Sequence, residues 1–248
     1  MKLSVVVPCY NEDKNIPLIL SRFKDVILRN DIELILVNNG STDNSEAVLE
    51  SLLPQYPFAR LENIKINQGY GFGVLSGVKA AKGDYIAWTH ADMQTDPYDT
   101  IRALELIEKS PIPQKTFVKG KRKKRSFVDG IFTFGMSVFE TLYLRTQLND
   151  INAQPNLFHR SFIKFWQNPP FDFSLDLYVF YMARRQKMKI IRFPVLYEKR
   201  IYGHSHWNTG LQSKYKFIRR TLEFSHKLKK NINPYSSLNQ VEDPCLIK

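Results

Sequence analysis

Residues 3–12 read Leu-Ser-Val-Val-Val-Pro-Cys-Tyr-Asn-Glu. The run Leu3–Val7 is apolar and β-branched, does not alternate with polar residues, and is closed by Pro8. That pattern marks a strand covered on both faces, as in a parallel sheet. The pattern recurs along the chain to either side of helical segments. Apolar residues at Ile16, Ile19, Leu20, Phe23, Val26 and Ile27 predict a helix over Asn15–Asn30. Glu33–Val37 is a second buried strand, ended by the turn cluster Asn38-Asn39-Gly40-Ser41. Ser41 or Thr42 is expected to cap a helix over Asn44–Leu53. A weaker strand at Ala59–Ile66, a helix at Gly71–Ala81, a strand at Tyr85–Thr89, a helix at Tyr98–Lys109 and a strand at Thr116–Lys119 follow. Strand and helix thus alternate four times in the first 120 residues. The expected class is α/β, a doubly wound and mostly parallel sheet with helices on both faces.

The second half is less regular. Phe127–Gln147 and Leu175–Gln186 read as helices, Ile190–Pro194 as a strand, and residues 211–230 as a basic helix. Residues 231–248 have no periodicity and read as an irregular tail. The expected organisation is one domain over residues 1–210, with a first half to residue 118 and a second from 119.

Charge divides along the same line. The 248-residue chain has a formal net charge of +12. Residues 1–118 carry 12 Lys+Arg against 15 Asp+Glu, a net −3; residues 119–248 carry 24 against 9, a net +15. Such asymmetry points the second half at an anionic partner: nucleic acid, an anionic membrane surface or a phosphorylated small molecule. An apolar fraction of 43% with 17 Phe and 12 Tyr excludes a wholly disordered basic chain. Two cysteines, at 9 and 245, exclude a disulfide scaffold and a four-thiolate metal site, and fit a reducing cytoplasm. No stretch reads as a signal peptide or a membrane span. Phe127–Leu144 is amphipathic, a core helix or a membrane-surface helix, and the basic run Lys119–Arg125 beside it suits the second reading. The expected location is cytoplasmic, peripheral on the membrane face.

Three polar clusters, Pro8–Glu12, Asn38–Asp43 and His90–Asp96, all fall at carboxyl ends of predicted strands, where sheets of this class bind ligands. In His90-Ala91-Asp92-Met93-Gln94, a carboxylate flanked by an imidazole and a carboxamide has the donors for a divalent cation, Mg or Mn. Solvated turn residues are the alternative.

Together the ordered motifs resemble the family 2 glycosyltransferases. They are Pro8-Cys9-Tyr10-Asn11-Glu12, Asn38–Asp43, Asn67-Gln68-Gly69, Gly83-Asp84-Tyr85 and His90–Gln94. Within that family they look like the dolichyl-phosphate mannosyltransferase-like enzymes. Gly120-Lys121-Arg122, the segment Asp150–Arg160 and Arg200-Ile201-Tyr202-Gly203-His204-Ser205 extend the resemblance to about residue 210. The resemblance implies a GT-A fold and inverting transfer from a nucleoside-diphosphate sugar. It implies a metal on Asp92 with His90 and Gln94. Arg122 and Arg200 would clamp the diphosphate, and Pro8, Tyr10, Glu12, Asn38, Asn39, Gly69 and Ser205 would bind the nucleotide sugar.

Two motifs depart from that pattern. His90 stands where the family's metal motif has a carboxylate, so the site has one negative charge fewer. Asn38-Asn39 replaces a pair of aspartates. A carboxamide both donates and accepts, so Asn38 suits uracil or guanine through its oxygen and cytosine through its NH2. The second substrate decides whether a base is needed. A phosphate is already anionic, whereas a sugar hydroxyl needs a general base, for which Asp150 and Asp176 are the candidates. His204-Ser205-His206-Trp207 makes a poor zinc site and reads as a loop closing on the diphosphate.

The leading expectation is a membrane-associated enzyme glycosylating a polyprenyl-phosphate or lipid-linked acceptor. One alternative is transfer to a saccharide hydroxyl in cell-surface polysaccharide synthesis, and another is a catalytically inactive nucleotide-sugar-binding protein. No nucleic-acid module is recognisable, so nucleic acid is not expected as a partner.

Overall fold

A computed structural model describes residues 2–123, 127–203 and 211–231. Seven strands form one sheet: β1 (Leu3–Cys9), β2 (Ile32–Asn39), β3 (Ala59–Ile64), β4 (Tyr85–Trp88), β5 (Thr116–Lys123), β6 (Asn156–His159) and β7 (Lys189–Leu196). Their order is β3-β2-β1-β4-β6-β5-β7. All pairings are parallel except those of β6, which runs antiparallel to both β4 and β5. From β1 the chain steps outward through β2 and β3, then returns to β4 on the other side of β1. That reversal opens a crevice at the carboxyl ends of β1 and β4, the place where such sheets hold ligands.

Both faces of the sheet are covered, which explains the unbroken apolar runs. Leu3, Val5 and Val7 of β1 pack into one core with α1 (Ile16–Val26), α2 (Ser45–Leu52) and α4 (Tyr98–Glu108). Val6 points the other way, into a core with α3 (Tyr70–Ala80) and α6 (Leu175–Arg185). The two-residue period of a strand makes this division. Gly77 lets α3 lie close on the sheet: a Cβ there would sit 2.3 Å from Val6 Cγ1. Helices α5 (Phe127–Tyr143) and α7 (Leu211–Asn231) complete the second half.

Several sequence expectations are corrected. Helix α1 stops at Val26 rather than Asn30, and α5 at Tyr143 rather than Gln147. The residue before α2 is Asn44, not Ser41 or Thr42. Ser41 and Thr42 instead bond to Asn11 across the neighbouring loop. Strand β5 runs on to Lys123, so most of the basic run is sheet rather than loop. Lys119 within it is fully buried. Strand β6 was not foreseen: it is four residues long and begins and ends in Asn156 and His159. The tail expected at 231–248 lies, beyond Asn231, outside the described residues.

Candidate active site

Three loops meet at the crevice. After β1, Asn11 takes a left-handed conformation (φ 58°), one that Asn tolerates better than most residues. This turns its amide toward the loop after β2. Its backbone N–H donates to Ser41 Oγ at 3.1 Å, and its Oδ1 accepts the Thr42 N–H at 2.8 Å. The Glu12 N–H donates to Ser45 Oγ at 2.9 Å. The first two polar clusters are therefore one stitched unit. Pro8 ends this unit inside β1, and the Tyr10 ring emerges beside it with 36% of its surface exposed. Burial pushes the Glu12 carboxyl above its ordinary range, against the hydrogen bond it accepts from Asn15.

The paired asparagines do different jobs. Asn38 is 1% exposed. Its Nδ2 donates to Asn63 Oδ1 at 2.9 Å and its Oδ1 accepts from the Ser41 N–H at 3.2 Å. Both ends of this amide are thus engaged within the protein. Asn39 donates to the Gly69 carbonyl at 3.0 Å, while its buried Oδ1 has no partner. Gly69 precedes α3 at φ 111°, and a Cβ on it would lie 2.4 Å from the Phe171 carbonyl oxygen. Only glycine suits that position.

The third loop follows β4. His90 is partly buried beside Tyr70, ring centroids 6.0 Å apart. Burial first, with help from Arg122 and Arg200, lowers its pKa despite Asp92 and Asp176 nearby, so the imidazole is neutral. Asp92 Oδ2 lies 2.8 Å from the Arg200 guanidinium, and its Oδ1 accepts the Gln94 N–H at 3.1 Å. Gln94 is held at both ends of its amide. Its Oε1 accepts the Tyr197 hydroxyl at 2.9 Å, and its Nε2 donates to the Glu198 carbonyl at 3.0 Å. The segment after β7, residues 197–203, is thereby drawn across the crevice, and the Asn15 amide reaches the Tyr202 carbonyl at 3.5 Å. Ser205 lies outside the described residues.

Arg122, at the end of β5, is positioned by Asp150. Its backbone N–H donates to Asp150 Oδ2 and its Nε to Oδ1, each at 2.8 Å. The Tyr197 ring lies 5.3 Å from its guanidinium carbon. Burial opposes ionisation of Asp150, but the charge and hydrogen bonds of Arg122 outweigh it and hold the carboxyl below its usual range. Asp176, on the first turn of α6, is 2% exposed. It accepts from Trp88 Nε1 (3.1 Å), Asn156 Nδ2 (2.9 Å), Gln154 Nε2 (3.0 Å) and the Tyr70 hydroxyl (3.4 Å). Trp88, Gln154, Asn156 and Tyr70 were not singled out from the sequence. They gather around one carboxylate only through tertiary pairing, Asn156 lying directly opposite Trp88 in the β4–β6 register.

The model of the family described as "Glycosyl transferase family 2" matches residues 4–168. The chain belongs to this family. Among curated relatives, the undecaprenyl-phosphate 4-deoxy-4-formamido-L-arabinose transferase of Photorhabdus laumondii is 35% identical over 111 residues, 43% of this chain and 34% of that protein. The dolichyl-phosphate beta-glucosyltransferase of Dictyostelium discoideum is 28% identical over 176 residues, 64% of this chain and 54% of that protein. The chain thus spans about a third to a half of the length of these two relatives. Among solved structures, glucosyl-3-phosphoglycerate synthase from Mycobacterium tuberculosis, with Mn2+, UDP and phosphoglyceric acid, aligns with a TM-score of 0.72 at 15% identity, covering 94% of this chain and 79% of that one. A Pyrobaculum calidifontis mannosyltransferase with GDP-Man and Mn2+ aligns at 0.67 and 17% identity, covering 94% and 65%. The family 2 chain therefore has the GT-A fold.

For a divalent cation, the donors of this family 2 site fit in one particular way. Among the described residues no group of three His, Cys, Asp or Glu side chains converges on a metal position. Asp92 supplies one carboxylate, already facing a positive charge, and the neutral His90 two positions earlier has a lone pair to give. The Gln94 amide, foreseen as a ligand, is occupied by Tyr197 and Glu198. One carboxylate completed by phosphate oxygens of a bound substrate is a common way to hold Mg²⁺.

Proposed function

We propose that this chain is an inverting glycosyltransferase that moves a sugar from a nucleoside-diphosphate sugar to a polyprenyl phosphate at a membrane surface. The observation that carries the reading is the division of roles among the charged groups. Arg122 and Arg200 both act on partly buried His90 at the crevice, while Asp150 and Asp176 are engaged in hydrogen bonds. Among the described residues, two guanidinium groups beside carboxylates that are already hydrogen-bonded suit an acceptor that is already anionic. The names of the two curated relatives fit the same acceptor class.

In this reading an oxygen of the acceptor phosphate attacks the anomeric carbon from the face opposite the leaving group. The new C–O bond forms as the bond to the β-phosphate oxygen breaks, and the electron pair leaves with the nucleoside diphosphate. Arg200 meets the charge that develops on that diphosphate. Arg122, pre-oriented by Asp150 and Tyr197, lies on the acceptor side. A divalent cation bound on Asp92 would supply Lewis-acid neutralisation of the leaving group. The stitched loops after β1 and β2 would receive the nucleoside, with Tyr10 and Glu12 at their mouth. Asp176 acts as a structural anchor rather than as the base.

The second-half surface suits a bilayer. Val138, Phe139 and Leu142 of α5 are 41%, 40% and 73% exposed and share one face. The Lys229 ammonium of basic α7 lies 4.2 Å from the adjacent Tyr143 ring centroid. Apolar residues flanked by cations bind anionic lipid. Among the described residues, no helix is long and apolar enough to cross a membrane.

The test is incubation with UDP- and GDP-sugars, Mn²⁺ and undecaprenyl phosphate in anionic vesicles, following nucleoside diphosphate release and glycolipid by mass spectrometry. A glycolipid with inverted anomeric configuration is expected. Absence of glycolipid with every donor, or product only on a saccharide hydroxyl, would overturn the reading.

A further inference from the structure

We propose that Arg200 is the built-in counter-cation of Asp92. It competes with a divalent cation for that carboxylate and gives it up when a diphosphate binds. The proposal rests on the nucleoside-diphosphate reading above and adds to it an order of events within the site.

The geometry gives one carboxylate two claimants. Asp92 has 6% of its side chain exposed, and its Oδ2 is 2.8 Å from Arg200. Its other oxygen is taken by the Gln94 N–H. No second carboxylate, histidine or thiolate among the described residues joins it in a three-ligand cluster. A cation approaching Asp92 therefore meets a neutralised pair and a positive neighbour rather than a free anion. Like charges a few ångströms apart, partly shielded from water, repel by an amount well above their bulk-water value.

The backbone carrying Arg200 is fixed while its side chain is less confined. Tyr197 and Glu198 are bonded to Gln94, Glu198 through both its N–H and its carbonyl, and Tyr202 is held by Asn15. Arg200 itself keeps 25% of its side chain exposed. A rotamer change, without any loop opening, takes its guanidinium from Asp92 to a ligand in the crevice. A diphosphate carries more charge than one carboxylate and offers paired oxygens to the planar fork of an arginine. Once Arg200 turns to it, Asp92 is free for the cation. Nucleotide and metal then each raise the affinity of the other by the same factor, as linkage requires.

The experiment is Mn²⁺ binding to the full chain, read by loss of the free-ion electron paramagnetic resonance signal, with no turnover involved. Without nucleotide, Arg200→Ala is expected to bind Mn²⁺ about 10-fold more tightly than wild type, within the usual range of site-to-site coupling. Asp92→Asn should abolish the binding in both backgrounds. UDP or GDP should raise Mn²⁺ affinity about 10-fold in wild type and clearly less in Arg200→Ala. Arg200→Gln, similar in length and uncharged, repeats the test should the alanine variant fold poorly. Equal Mn²⁺ affinity in wild type and both variants, or no Mn²⁺ binding by either variant, overturns the proposal. Tighter Mn²⁺ binding in the variants together with no binding of UDP or GDP to any form would instead defeat the nucleotide reading while leaving the competition at Asp92 standing.

Discussion

Replacing Lys119 by Met gives a measurement that the structure makes quantitative. Lys119 sits in β5 with no exposed surface. Its ammonium donates to the Ala153 carbonyl at 2.8 Å and to Asn156 Oδ1 at 2.6 Å, and lies 5.5 Å from the Phe180 ring centroid. Burial, the largest influence, drives its pKa from 10.5 down to about 7, against the pull of Asp176 and Asp150. Between those two values the unfolded chain binds one more proton than the folded one. Stability of the wild type therefore rises with pH across that window, by about 1.4 kcal/mol per pH unit. Below pH 7 both states are protonated and the cost of the buried charge is fully present. Above 10.5 it is gone. Methionine has nothing to titrate. Unfolding in urea at pH 7.5 and 9.5 should show the wild type gaining about 2–3 kcal/mol on Lys119→Met over that interval, since other groups titrate alike in both proteins. The absolute stability of the variant is less informative, because two acceptors lose their donor at about 1–3 kcal/mol each. If the gap between the two proteins stays constant with pH, the ammonium remains charged in the core and the reasoning is wrong.

Glu140 of α5 makes the opposite case. It is fully buried, accepts from Ser225 Oγ at 2.7 Å, and burial raises its pKa from 4.5 to about 7. The folded state holds the extra proton between those values, so wild-type stability falls as pH rises through them. Glu140→Gln should gain about 2–3 kcal/mol on the wild type between pH 5 and 8, and parallel denaturation curves would count against this. Asp150→Asn deprives Arg122 of its charged partner in a pair whose side chains are 8% and 17% exposed. A loss of about 3–5 kcal/mol of stability is expected, with weaker transfer activity; an unchanged melting temperature would show that the pair is not a fixed unit. Gly77→Ala places a methyl 2.3 Å from Val6 Cγ1. It should cost about 1–3 kcal/mol in thermal unfolding, and a stability equal to wild type would mean that α3 shifts away from the sheet without penalty.

What could be read from the sequence follows from how far each feature depends on neighbours in the chain. The cores of β1, β2 and β4 were legible because a strand covered on both faces must be apolar throughout. The three clusters at strand ends were legible because turn residues mark where strands stop. Strand β6 was not, since four residues bounded by Asn156 and His159 carry too little pattern to register. The burial of Lys119, at the junction of an expected strand and the basic run, is not legible, because nothing adjacent in sequence reveals that Ala153 and Asn156 accept from its ammonium. The salt bridges of Arg122 with Asp150 and of Arg200 with Asp92 join distant segments of chain. Sequence placed all four residues on the list but not in pairs. The donors around Asp150 and Asp176 are hidden in the sequence for the same reason: they come from other elements.

The reversed direction of β6 has an architectural consequence. Because it runs against β4, its start rather than its end reaches the crevice, so Gln154 arrives from the segment that precedes the strand and Asn156 from its first residue. Gln154 and Asn156 thus depend on the connection between β5 and β6, whereas the lining from the first half follows strands fixed by parallel pairing. Changes in the length of that connection would act on this part of the crevice wall, while the register of β1, β2 and β4 is set by their own parallel pairing. A single sheet in this way meets its crevice with strand ends on one side and a strand start on the other.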